Sequence, residues 1–351
     1  MNLVYLQRKT NCLMAPMVQM IGKALSYSAN KVMNGVTFND VYATYVDGVM
    51  TWYGIQSQVD RVEKANSEAV IKDPSIVIKA KQKFMIDITK LNGFTKKVKD
   101  MEFDKLSNEE LADIYERYAK LYENAYIWAE PLAWVIKERV TEYLKKIVNG
   151  EKLSTLLAPR FKSFVKREEE DLLRIAVKAQ KGEDVDKEIE EHEEKYKWVP
   201  YDYGAEIWDK KHFLESLQKV MNSAEEELRK SEENFEKTIE KQKKLELEID
   251  KKDLEIIKAL RESIFLMDYK KEMFTQSHLH VRGLFEEIGE RLGVGLRLMQ
   301  FIAIEEIRSA LVKGIDKEVL KQRHDFSIVH WDKDKEGAID VVAGDEAKKF
   351  F

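Results

Sequence analysis

The chain of 351 residues has one cysteine, Cys12, with only five prolines and fifteen glycines. A lone thiol forbids an intrachain disulfide framework and any cysteine-rich zinc or iron–sulfur centre. That usage fits a reducing compartment, and the expected location is cytoplasmic. So few turn formers, in a chain rich in Lys, Glu, Leu and Ala, predict long helices joined by few loops. An excess of one charge is also missing: 59 Lys and Arg face 64 Asp and Glu, a net of −5. A broadly basic nucleic-acid binder does not fit this balance, which leaves only a local basic patch open. No apolar run approaches the roughly 18 residues of a membrane span. The N-terminal stretch carries Arg8 and Lys9 among its apolar residues and has no small-residue cleavage pattern, unlike a signal peptide. Neither GxxxxGK followed by Ser or Thr, nor GxGxxG, is present to cradle a phosphate.

What the chain does have is helical periodicity. Apolar residues recur at three and four from Leu13 to Tyr27, and Val36 to Val59 reads as further helix, rich in aromatics. Asp73-Pro74 opens another helix. Ser107-Asn108-Glu109-Glu110 is a capping box, and the helix after it carries Leu111, Ile114, Tyr115, Tyr118, Leu121 and Tyr122 on one face. Pro131 is expected to break or kink that helix, and Asn149-Gly150 to stop the next. Leu153 to Pro159 reads as loop, and Phe161 to Gln180 and Val185 to Tyr196 as helices. Leu217, Met221, Ala224, Leu228, Phe235, Ile239, Ile249, Leu254, Ile257 and Leu260 form a narrow seam in a Glu/Lys background. This predicts one long helix from Met221 to Leu260, pairing antiparallel because Gln242 interrupts the seam. Phe326 to Trp331 and Ala338 to Val342 read as a hairpin.

The expected fold is mainly α: a multi-helical bundle with a projecting antiparallel helical (coiled-coil) arm and a small C-terminal β-hairpin. The expected parts are 1–150, an N-terminal helical region; 151–325, a central helical region with the arm over about 213–292; and 326–351, the hairpin.

Six histidines are the first candidates for chemistry. His278 and His280, two apart on a helix, point to different sides, and no acidic third ligand shares a face with either, so no metal site is assigned. His192 sits among Glu190, Glu191, Glu193 and Glu194, which should raise its pKa. Beyond it, Trp198, Tyr201 and Tyr203 crowd a short connection. Two readings stand for these aromatics: a plug between helical layers, or the wall of a pocket in which His192, Tyr201 and Tyr203 supply hydrogen bonds.

Pro159, Ser163, Glu169, Glu170, Asp171, Leu172, Leu173, Ile175 and Ala176 are followed by Ile189, His192, Lys195, Tyr196, Trp198, Val199, Pro200 and Tyr201. Later come Glu286 to Gly293 and Ile304-Glu305-Glu306-Ile307. In that order they resemble the helical region of phosphoenolpyruvate-utilising phosphotransferases, which precedes the swivelling phosphohistidine domain in phosphoenolpyruvate synthase-like and rifampicin phosphotransferase-like enzymes. The resemblance extends over about Leu13 to Ala347. It implies an acceptor-binding or linker module, with substrate-binding residues His192, Trp198, Tyr201 and Tyr203. Its implied partners are a mobile phosphohistidine domain or protein and a small-molecule acceptor, with neither nucleic acid nor membrane.

Ser277-His278 copies two letters of the phosphohistidine motif GGxxSHxA. No glycine pair precedes it, so no catalytic residue is assigned. The hairpin looks like the lead-in to a mobile domain that the chain does not reach, and no ATP-grasp region precedes it. The chain is therefore expected to bind no cofactor itself; ATP, phosphoenolpyruvate and Mg are implied only for the domains it lacks. The alternative is a non-catalytic scaffold or adaptor acting through its coiled-coil arm.

Overall fold

The computed structural model describes residues 2–9, 14–31, 36–133, 137–201 and 206–349. In chain order, β1 (Leu3–Lys9) and α1 (Gln19–Ser26) precede β2 (Asp40–Val46) and β3 (Val49–Ile55). Then come α2 (Gln56–Lys72), α3 (Ser75–Lys99), α4 (Asn108–Ala133), α5 (Lys137–Lys145), α6 (Gly150–Leu157) and α7 (Phe164–Gln180). They are followed by α8 (Asp186–Tyr196), α9 (Lys210–Val220), α10 (Ala224–Glu246), α11 (Lys251–His280), α12 (Arg282–Arg291) and α13 (Gly295–Met299). The chain closes with α14 (Ile307–Lys313), α15 (Lys317–Asp325), β4 (Phe326–Asp332), β5 (Ile339–Ala343) and α16 (Gly344–Lys348). The fold is mostly helical, as the scarcity of breakers predicts, with one five-stranded antiparallel sheet. Two units are distinct: Met1–Ile136 with Gln276–Phe351, and Lys137–Thr275.

The first unit holds the sheet, in the order β1-β3-β2-β4-β5. Here the helical expectation for Val36 to Val59 is wrong. Val, Thr, Tyr and Trp dominate β2 and β3, and burial alternates along β3 and the first half of β2, placing Val41, Ala43, Met50 and Trp52 inside. Asp47 and Gly48, with φ of 51° and 75°, make the two-residue turn that such hairpins favour. The C-terminal hairpin forms as expected, and β4 pairs with β2 through Val41↔Trp331 and Ala43↔Val329. Trp331 is fully buried, donates its indole N–H to the Gln19 carbonyl at 3.0 Å and lies 5.2 Å from Trp52. Gly22 on α1 admits that ring, since a Cβ there would stand 2.2 Å from it.

In α4 the capping box is closed: Ser107 N–H donates to Glu110 Oε2 at 2.8 Å and Glu110 N–H to Ser107 Oγ at 3.2 Å. The helix is described as far as Ala133, two residues past Pro131, and a separate helix, α5, starts at Lys137. Leu111, Tyr115, Tyr118 and Tyr122 are buried along it. Ser277 and His278 are fully buried in the same unit, with His278 Nδ1 hydrogen-bonded to Tyr118 Oη at 3.0 Å.

The second unit packs Leu172, Ile175, Ala176, Ile189, Phe213, Leu217 and Ala224 into a core shared by α7, α8, α9 and α10. Asn149 starts α6 instead of stopping a helix, accepting from Glu151 N–H at 2.9 Å, so Leu153 to Leu157 is helical rather than loop. The single helix expected from Met221 to Leu260 is two: α10 ends at Glu246 and α11 begins at Lys251. The α10 seam lies against α6 and α7. Gln242 is buried there because its amide donates to the carbonyls of Thr155 and Ala158 at 2.7 and 2.6 Å and accepts from Arg160 Nε at 2.9 Å. The polar residue in the seam thus closes the end of α6.

Two predictions follow from these buried polar groups. Gln242→Leu, neutral or stabilising in a plain apolar seam, should cost about 1–3 kcal/mol here by orphaning buried groups; urea unfolding measures it. For His278, burial drives the imidazole pKa down to about 3. The unfolded chain therefore takes up the proton first as pH falls below about 6.5, and stability is lost progressively toward pH 3. Relative to His278→Gln, the wild-type chain should lose about 2 kcal/mol between pH 7 and 5, measured in parallel urea titrations.

Candidate functional site

One face of α7 gathers a connected set of polar side chains in the second unit. Phe164, Arg167, Glu168 and Asp171 follow i, i+3, i+4, i+7 spacing, which aligns them on one side of a helix. Ser163 caps the helix, its hydroxyl accepting from Lys166 N–H at 3.2 Å. From α8, His192 Nε2–H donates to Glu168 Oε1 at 3.1 Å. Lys195 Nζ and Tyr196 Oη both donate to Asp171 Oδ2 at 2.7 Å. From α11, Glu272 accepts from the Arg167 guanidinium, and Asp268, one turn earlier, accepts from the Phe164 backbone N–H. Arg167 Nε is buried and finds no partner among the described residues.

The adjoining flank of α7 is tied to α10. Glu170, 1% exposed, accepts from Lys162 Nζ at 2.6 Å and from Ser231 Oγ at 2.7 Å. Arg174 bridges Asp171 and Glu232, each at 2.9 Å.

Electrostatics divide these carboxyls into two kinds. Burial opposes ionisation of Glu170 and Asp171, yet bonds from Lys162 and Ser231 on one, and Lys195 and Tyr196 on the other, hold both below the usual carboxylate range. Asp268 and Glu272 go the opposite way: burial raises both, and Arg167 only partly offsets it. Burial and the bond to Asp171 push the Tyr196 hydroxyl well above its ordinary value. The face therefore presents two carboxyls that take up protons readily beside a fixed guanidinium charge. Such an arrangement suits accepting a proton from, or hydrogen-bonding, a hydroxyl-bearing ligand.

Of the residues singled out from sequence, His192 belongs to this assembly. Its ring is almost fully enclosed, lying 4.8 Å from Tyr196 and edge-on to Phe213 at 4.9 Å. Trp198 joins it indirectly: its ring lies 5.2 Å from Phe164, and its indole N–H donates to the Lys195 carbonyl at 2.7 Å. At 5% exposure Trp198 acts as packing. Tyr201 is buried, with its backbone N–H bonded to the Trp198 carbonyl at 2.9 Å. Tyr203 lies outside the described residues. Arg167, Glu168, Asp268 and Glu272 escaped sequence reading; only the four-residue spacing of Asp268 and Glu272, and the helical phase of α7, would have pointed to them. Among the described residues no three or more His, Cys, Asp or Glu side chains are grouped to hold a metal ion, and no helix is long and apolar enough to cross a membrane.

Compared with known proteins, the chain matches no family model, no curated protein and no solved structure.

Arg167→Met tests the electrostatic assignment. Removing the cation should destabilise the second unit by about 1–3 kcal/mol near neutral pH, a range reduced for the partial exposure of Arg167. Because folding already favours the protonated forms of Asp268 and Glu272, the deficit should shrink as pH falls toward the unfolded carboxylate value near 4.5. A deficit that stays constant from pH 7 to 4.5 would mean that Arg167 acts by packing alone. Trp198→Ala should cost about 3–5 kcal/mol at all pH values, read in the same unfolding experiment.

Proposed function

We propose that the chain is the helical acceptor-binding module of a phosphoenolpyruvate-utilising phosphotransfer system, working with a phosphohistidine carried on another domain or protein. The observation that carries this reading is the pairing of Asp268 and Glu272, held above the usual carboxylate range by burial, with Arg167 on the α7 face. Phosphoryl transfer to a hydroxyl asks for those two functions. The acceptor oxygen bonds to phosphorus as the P–N bond to the carrier imidazole breaks, the acceptor proton passes to a carboxylate, and a cation offsets the phosphoryl charge. Glu272 is the proton acceptor in this scheme, and Arg167 the charge partner. Glu168 holds His192 at the edge of the site, and Trp198 fixes the start of α7. Helix α10 serves in this reading as a brace, holding α7 through Ser231 and Glu170.

This chain would accept the phosphoryl group's acceptor, not the phosphoryl group itself. The full burial of Ser277 and His278 supports that division, since a carrier histidine must swing between two sites. Scaffolding through the outer face of α10 has less support, because its charges neutralise one another in i,i+4 pairs such as Lys230–Glu226 and Arg229–Glu233.

The test is reconstitution. A separately produced phosphohistidine domain, labelled with radioactive phosphate, is mixed with the chain and with rifampicin, which offers hydroxyl groups, as acceptor. The chain should accelerate label transfer at least about tenfold, and Glu272→Gln should remove most of that gain while unfolding normally. Equal transfer with and without the chain, or with Glu272→Gln, would contradict the proposal.

A further inference from the structure

The first unit carries a second feature that the α7 face does not involve. Helix α3 contains seven lysines (79, 81, 83, 90, 96, 97 and 99) and one carboxylate, Asp87, in a chain whose net charge is −5. Its inner stripe of Val77, Ala80, Phe84, Ile88, Leu91, Thr95 and Val98 is buried. On the opposite side Lys79, Lys83, Ile86, Lys90, Gly93 and Lys97 are all exposed. Their spacing is four, three, four, three, four. That is the rhythm of a helix-pairing seam, with all six positions within about 40° of one line. The row is straight and about 27 Å long at 1.5 Å per residue.

Charge and shape both restrict what fits it. Lys90 bonds Asp87 Oδ1 at 2.8 Å, while Asp87 Oδ2 accepts from the Trp128 indole N–H at 3.0 Å, so the sole carboxylate of the helix is already used. Lys79 has the charge of Asp73 nearby. Lys83 and Lys97 have no carboxylate partner among the described residues. Between the lysines, Ile86 is 52% exposed, and a Cβ built on Gly93 meets nothing within 4 Å. Those two positions are the low points at which another helix can approach closely. A nucleic acid would favour a broader cationic surface with stacking aromatics, and an anionic membrane a two-dimensional one; a single row matches a linear partner.

We propose that the outer face of α3 docks an acidic α-helix of a partner protein, whose carboxylates repeat at the same four–three spacing and pair with Lys79, Lys83, Lys90 and Lys97. Lysines at seam positions weaken self-pairing and select a partner of opposite charge, so the face discriminates against a second copy of itself. The Ile86 and Gly93 positions set the register, and the lysines set the sign.

A helical alanine-rich peptide with glutamates at the four–three spacing is the probe, with a permuted peptide of identical composition as control. Binding to the full chain is followed by fluorescence anisotropy. At low ionic strength the ordered peptide should bind several-fold tighter than the permuted one and weaken as salt rises. The double variant Lys83→Glu, Lys97→Glu, which changes only exposed side chains, should bind about tenfold more weakly with an unchanged circular dichroism spectrum. Equal binding of the two peptides, or an unaffected double variant, would overturn the proposal. So would tighter binding of phosphatidylserine vesicles or duplex DNA than of the ordered peptide.

Discussion

The second unit is governed by the cost of keeping carboxylates away from water on α7. An isolated ion of that kind loses several kcal/mol of solvation on burial, so each needs a donor or a cation. Glu168 has His192, Glu170 has Lys162 and Ser231, and Asp171 has Lys195, Tyr196 and Arg174. Because the partners come from α8, α10 and the segment before α7, satisfying these three acids also fixes where those elements lie. Hydrophobic packing among Leu172, Ile175, Ile189 and Phe213 supplies the attraction, and the acids supply the register. On the α11 side the balance is incomplete. Arg167 faces Asp268 and Glu272 together, and burial prevails over the one cation.

The first unit adds a buried polar group that carries no charge. There His278 is kept neutral, bonded to Tyr118 within an aromatic cluster that includes Tyr122 at 5.4 Å. A neutral ring needs no counter-ion and fits a packed core, at the expense of stability in acid. The unit is closed by strand pairing between the two ends of the chain, β2 with β4, and by the seating of Trp331 over Gly22. The first unit also matches a buried carboxylate with donors, Glu123 lying against Ser28, Lys23 and Lys120, so the α11 side of the α7 face stands out by its incomplete match.

Much of the helical content was legible because it depends on local order: the capping box at Ser107, the start of α3, the end of α7 at Gln180 and the acidic α8. Of the strands, β4 and β5 were legible as a hairpin, whereas β1, β2 and β3 were not. The aromatic run of β2 and β3 satisfies helical and alternating patterns about equally, and only the Asp47-Gly48 turn separates them. Gln242 was recognised as odd in the seam, but its partners are helix-end carbonyls more than eighty residues earlier, beyond the reach of periodicity. The candidate site divides in the same way. His192 and Trp198 stand out by residue type, whereas Arg167 and Glu272 look like ordinary surface charges until α7 and α11 meet, 105 residues apart.

The functional reading requires that two carboxyls on one face behave unlike their neighbours. Carboxyl carbon-13 chemical shifts, followed by NMR against pH in the full chain and assigned by single Asp→Asn or Glu→Gln substitution, measure this directly. The account predicts that Asp268 and Glu272 titrate above the usual carboxylate range while Glu170 and Asp171 titrate below it. If all four titrate together at ordinary values, the face is solvated and the α7 assembly is a surface salt-bridge network without a site.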